Sequence, residues 1–368
     1  YLKTLWFSWN PYSGFGADVS SNTGFLIAQL PEALFVKLTG SLPAGQTISF
    51  IFWFFVIGVS IYILIKQFFP ESKYWPLRIS AGVFYMYNFY LLQGWFITER
   101  AKFSLFAALP LLFLVCWNIL SRRWSVVYGG LLFSLILFLL NGGGSPPLYG
   151  GILVALGILF LYFIVMALWK KSLFDFFHVV RSAVFIGIAT IFVNAYWVFP
   201  QLYAAFNQYT SQLSSSGGIA GILSWEEAVN KYASIINLLR LQGIPDWYNN
   251  PLHPYSNIFL SSPILIILSF VPITITIYVL MRKELRKQLG QAQEFLFVCL
   301  LIFLIGLIMT AGSHPPFGFI YVALLKYVPG FAIFRSAFYK FGPSFWFGGV
   351  IVFSASLFIF ITHTIKQS

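Results

Sequence analysis

Long apolar runs, each bounded by a short polar or basic break, recur along this chain from Thr47 to Ile365. Each run is near the roughly 20 residues that a helix needs to cross a bilayer. Nine spans are predicted, at about 47–65, 77–93, 103–120, 124–140, 147–169, 182–200, 258–280, 295–311 and 343–365. The runs are too long and too continuous for barrel strands, so helices must satisfy the backbone in lipid. The expected fold is therefore all-α: a polytopic membrane helix bundle over residues 1–368, read as one domain. No fixed-period repeat is visible.

The breaks alternate in character. One set is short and basic: Lys66, Lys73 and Arg78; Arg122 and Arg123; Lys170, Lys171 and Arg181; Arg282, Lys283, Arg286 and Lys287; and Lys366. These hold thirteen of the 22 cations. The other set spreads the remaining nine over much longer stretches: Lys3, Lys37, Arg100, Lys102, Lys231, Arg240, Lys326, Arg335 and Lys340. The dense side is expected to be cytoplasmic. Tyr1 then starts outside and Ser368 ends inside. The extracytoplasmic face carries three long segments, 1–46, 201–257 and 312–342. Opening on polar and aromatic residues, with no signal-peptide pattern, the chain reads as cut at its front, with a membrane helix expected ahead of Tyr1.

Composition agrees with membrane residence. Hydrophobic residues make up 59% and charged residues 9%, with mean hydropathy +0.82. The net charge of +12 belongs to span ends, where it meets anionic lipid, and calls for no nucleic-acid partner. Cys116 and Cys299 both lie inside apolar runs and form no zinc or disulfide pattern. No P-loop or dinucleotide fingerprint is present. No cofactor is expected and no metal-ligand set stands out, with dependence on a divalent metal left open; energy and substrate would come from a membrane-borne donor, a gradient or a partner.

Local signals refine the outer segments. Residues 24–38 resemble an amphipathic re-entrant or interfacial helix, and 141–147 (Asn-Gly-Gly-Gly-Ser-Pro-Pro) a tight turn that breaks helix geometry. Residues 207–221, rich in Ser, Gly and Gln, read as a mobile loop. Ser224 is predicted to cap a helix with Glu226 and Glu227 in its first turn, running to Leu239 and lying flat on the membrane.

Three outer stretches carry candidate chemistry. Trp6, Trp9 and Asn10 offer ring faces and an amide suited to a sugar, although an interfacial aromatic belt, the commoner use of such residues in membrane proteins, explains them too. The turn at Glu99, Arg100 and Lys102 places two cations beside one acid, a grip for a phosphate or simply a solvated turn. Arg335 and Lys340, among aromatics at the mouth of the last span, suit a phosphate as well, or snorkel at a helix end. His314 precedes two prolines and has no triad partner, which favours a hydrogen-bonding role. The outer acids are Asp18, Glu32, Glu99, Glu226, Glu227 and Asp246.

These residues together resemble a GT-C glycosyltransferase. The likeness is to the N-terminal GT-C domain of alpha-(1→3)-arabinofuranosyltransferases, with YfhO-like membrane glycosyltransferases second. It rests on Leu5-Trp6…Pro11…Phe15-Gly16, on Arg78-Ile-Ser-Ala-Gly82…Tyr85 leading to Glu99, on Trp197-Val-Phe-Pro200, and on Phe334-Arg335…Tyr339-Lys340-Phe341-x-Pro343. The resemblance implies a polyprenyl-phosphate sugar as donor, a glycan or lipid-linked acceptor, and inverting transfer outside the cytoplasm. Cations such as Arg335, Lys340, Arg100 and Lys102 would hold the donor phosphate, supported by Glu99 and His314. Trp6, Trp9 and Asn10 would meet the sugar or acceptor. The family's acid would fall ahead of Tyr1, with Asp18 a poor substitute. Gly342 stands where an acid is expected.

Two other readings remain open. A transporter or lipid flippase is motivated by the span number and by breaks at Asn88 and Asn194, although buried charges and repeats are wanting. A non-catalytic remnant of the GT-C fold is the other.

Overall fold

A computed structural model describes residues 9–10, 17–18, 23–92, 100–204, 217–243, 258, 261–288 and 290–367. In chain order the elements are β1 (Trp9–Asn10), β2 (Ala17–Asp18), α1 (Phe25–Thr39), α2 (Leu42–Phe68), α3 (Trp75–Met86), α4 (Arg100–Leu120), α5 (Val126–Leu139), α6 (Gly150–Trp169) and α7 (Leu173–Val193). Then come α8 (Gly218–Val229), α9 (Ile235–Leu239), α10 (Pro263–Ser269), α11 (Val271–Met281), α12 (Lys283–Lys287), α13 (Gln293–Ala311), α14 (Gly318–Tyr327) and α15 (Ala337–Gln367). The fold is an all-α polytopic bundle, its only strands among the described residues being the two-residue antiparallel ladder β1–β2.

Seven helical stretches among the described residues are long and apolar enough to cross a membrane: 42–68, 101–120, 146–169, 173–193, 263–281, 293–311 and 337–365. Two of the nine predicted spans are shorter helices. α3 has 12 residues and ends where Tyr87 and Asn88 leave the helix; α5 has 14, about 21 Å against a hydrocarbon core of about 30 Å. The span predicted at 182–200 begins nine residues earlier, at Leu173. Its polar residues hid the start, but each is provided for. The Ser172 hydroxyl caps the helix by accepting from the Asp175 N–H, Asp175 pairs with Arg122, and His178 Nε2 bonds the Ile119 carbonyl at 2.9 Å.

The chain divides into two compact units, one of residues 1–64, 94–149 and 155–214, the other of residues 65–93, 150–154 and 215–368. In the first unit α4 is central, with 94% of its apolar window buried. α5 packs on α7 where Gly130 leaves room for Phe185, and Gly129 admits Ile119 of α4; small residues let membrane helices approach closely. Helix α1 forms as expected over Phe25–Thr39, stopped by Gly40 in the left-handed region, and turns back tightly onto α2 because Gly45 rests against Val36. The glycine turn after α5 also forms: Gly142, Gly143 and Gly144 all have positive φ. The Gly142 N–H donates to Ser104 Oγ at 3.0 Å, and the backbone of Gly143–Gly144 presses on Gly24. The Asn194 break is locked rather than loose: Trp197 Nε1 donates to Asn194 Oδ1, and Asn194 Nδ2 to the Ser134 carbonyl.

In the second unit α13 and α15 pack through reciprocal glycines, Gly306 against the Phe345 backbone and Gly348 against Phe303. Phe68 stacks on Phe295 with ring centres 3.8 Å apart. Arg78, predicted as a loop cation, is buried at 5% exposure. Its guanidinium donates to the carbonyls of Phe69 and Glu71, the first groups past the C-terminus of α2. A cation there meets the negative end of the helix and satisfies orphan acceptors. Asn88 bonds the Tyr85 carbonyl and accepts from the Leu91 N–H, bridging its own break.

The helix predicted over 224–239 needs correction. α8 starts at Gly218, so Ser224 lies inside it, and it stops at Asn230; Ser234 caps a separate α9 through the Asn237 N–H. Glu226, predicted as a first-turn acid, lies in the body of α8 and is completely buried, for the reason given below.

Candidate functional site

The strongest grouping of polar and aromatic side chains in the second unit surrounds the start of α15. The chain enters through Gly330, with φ +81°, and a 3-10 turn at Phe331–Phe334. Phe331, Phe334, Phe341 and Tyr321 pack with ring centres 5.4–6.5 Å apart, and the Tyr321 hydroxyl donates to the Phe334 carbonyl at 2.6 Å. This aromatic plug fixes the next residue, Arg335, at the helix mouth with its side chain exposed.

Arg335 lies over the indole of Trp225, 5.9 Å from the ring centre, within cation–π range. Trp225 Nε1 donates to Ser336 Oγ at 3.2 Å, so the ring is oriented although half of it is exposed. Lys340 follows one turn into α15 and is half-buried. The arrangement offers a fixed guanidinium, an open ring face and the positive end of a long helix, which suits an anion joined to an apolar or saccharide ring.

Trp225 is held there by the residues beneath it. Glu226 and Asn230, four apart on α8, share one face, and both are fully buried. The Glu226 carboxylate accepts from the Ser313 hydroxyl at 2.5 Å and from the Ser313 N–H at 3.3 Å. Asn230 Nδ2 donates to the Thr310 carbonyl, its Oδ1 accepts from the Phe338 N–H, and its own carbonyl accepts from His314 Nε2 at 2.5 Å. The carbonyl can only accept, so Nε2 carries the proton. Burial pushes the Glu226 carboxyl above its ordinary 4.5, opposed by the Ser313 bonds and by His314. These contacts join α8 to the end of α13 and the start of α15. They engage both carboxylate oxygens of a completely buried side chain, so Glu226 positions the site.

Of the predicted site residues, Arg335, Lys340 and His314 all lie in this unit. Lys102, buried at 7% exposure, and Arg100, the first residue of α4, belong to the first unit. The ladder sets the backbone of Trp9 opposite Asp18, and Asn10 opposite Ala17. Trp6 and Glu99 lie outside the described residues. Gly342 packs on Tyr90, where a β-carbon would come within 2.6 Å of the ring, so the expected acid has no room. Sequence reasoning missed the roles of Trp225, Asn230 and Ser313; the available signal was the four-residue spacing from Glu226 to Asn230. Among the described residues no group of three His, Cys, Asp or Glu could hold a metal ion.

No protein-family model, curated protein or solved structure matches this chain. The fold itself defines the class: a multi-pass membrane protein whose described residues are helical apart from short turns and the β1–β2 ladder.

Proposed function

We propose that this chain is a membrane glycosyltransferase. It moves a sugar, with arabinofuranose the first candidate, from a polyprenyl-phosphate donor to a glycan or lipid-linked acceptor on the extracytoplasmic side. The observation that supports the reading most is the Arg335–Trp225 pair at the mouth of α15. In an inverting displacement the acceptor oxygen attacks the anomeric carbon while the bond to the donor phosphate breaks. The leaving phosphate takes the electron pair, and Arg335 and Lys340 stabilise the charge that develops there. The Trp225 face supports the sugar ring. The acceptor proton needs a base other than Glu226, which is completely buried against Ser313.

The test is transfer in proteoliposomes from polyprenyl-phosphate sugars carrying a labelled glycosyl group. The expected result is label in the acceptor and free polyprenyl phosphate, both formed much more slowly in Arg335→Ala. Failure of every such donor would overturn the proposal, and flux of intact substrate without bond formation would put a transporter in its place.

A further inference from the structure

Beyond the transfer site, the second unit holds a groove of about 600 Å³ between α11, α13 and α15. Its walls are apolar, with Val279, Leu296, Leu300 and Val352 among them, and Lys283 and Gln293 stand at one end. The placing of that lysine is enforced by the fold. Leu285, at 1% exposure, packs with Val279 and Ile359 and anchors the short helix α12 at the groove mouth. Arg282 lies beside it, its guanidinium 5.4 Å from the Tyr278 ring centre. Lys283 makes no ion pair among the described residues.

We propose that this groove holds an acyl chain of an anionic glycerophospholipid of the surrounding bilayer, with its phosphate on Lys283. A free phosphate would leave the apolar bore uncovered, and a zwitterionic lipid, whose choline offsets its phosphate, would gain less from the lysine. A second groove, of about 670 Å³, flanks α15 and is lined by Lys73, Leu77 and Phe358. There the lysine already pairs with Glu71 at 2.7 Å. The two grooves share apolar walls and differ in available charge, so the second is a control within the same molecule.

The test uses the full chain reconstituted in phosphatidylcholine vesicles, with spin-labelled phosphatidylglycerol or phosphatidylcholine as trace probe. The motionally restricted fraction should favour phosphatidylglycerol by about fivefold, as one basic residue near a membrane surface predicts. Lys283→Ala should lower the ratio towards the value that the other span-end cations alone give, and the exposed position makes the change tolerable to the fold. Lys73→Ala should leave the ratio unchanged, and Leu300→Trp should lower the restricted phosphatidylglycerol. Equal restriction of the two lipids in the wild type, or an unchanged ratio in Lys283→Ala, overturns the proposal. Displacement of the label by inorganic phosphate beyond a chloride control of equal ionic strength overturns it too, by showing a site for phosphate alone.

Discussion

A β-carbon on Gly312 would lie 1.9 Å from Glu226 Oε1. The end of α13 and the buried acid of α8 are therefore fitted to each other with no spare volume, and Gly312 has φ +61° besides. Gly312→Ala should destabilise the second unit by about 1–3 kcal/mol from backbone strain alone, with the collision added. Thermal unfolding in detergent checks this; an unchanged midpoint would show that Glu226 can move aside.

Glu226 also makes stability depend on pH. Its carboxyl pKa is raised in the folded protein, so the native state holds the proton more tightly than the unfolded chain does. Stability should be greatest below the ordinary carboxyl value of 4.5 and fall as pH rises towards the folded value. Glu226→Gln keeps an acceptor for Ser313 and removes the titration. Melting curves across this range should flatten in the variant; the same slope in both proteins would assign the pH dependence to other groups.

At the proposed donor site, Arg335→Ala should weaken transfer by about 1.5–3 kcal/mol, the usual worth of a hydrogen bond to a charged group, with Arg335→Lys recovering part of it. Trp225→Phe keeps the ring but drops the bond to Ser336, so it should lose less than Trp225→Ala. Equal activity in Arg335→Ala and wild type would remove the guanidinium from donor binding.

Sidedness can be read by labelling. Both native cysteines, Cys116 and Cys299, are buried thiols, so the background should be quiet. An impermeant maleimide added to intact cells should modify Ser224→Cys and leave Lys171→Cys untouched. The reverse pattern would put the Arg335–Trp225 pair in the cytosol and end the case for a lipid-carried donor outside.

The membrane class and most helices were legible from apolar run length, because burial in lipid writes itself over some twenty consecutive residues. The glycine turn at 142–144 was legible for the same kind of reason: three adjacent glycines have few other uses. What escaped was long-range pairing. Glu226 read as a first-turn acid because its partner, Ser313, is 87 positions away. The start of α7 escaped because Asp175 and His178 read as loop residues until Arg122 and the Ile119 carbonyl were seen to receive them. The site was legible only in part: Arg335 and Lys340 stood out as cations among rings, whereas Trp225 reaches Arg335 through tertiary structure alone.

Arg78 serves two successive needs with one charge. While the chain is being inserted, any cation at this loop helps to retain it on its own side of the bilayer. Once folded, only a forked donor can serve two carbonyls at the close of α2, which a single ammonium does less well. Lys at this position should therefore insert with normal orientation and still yield a less durable protein, separating the information that threads a membrane chain from the chemistry that finishes it.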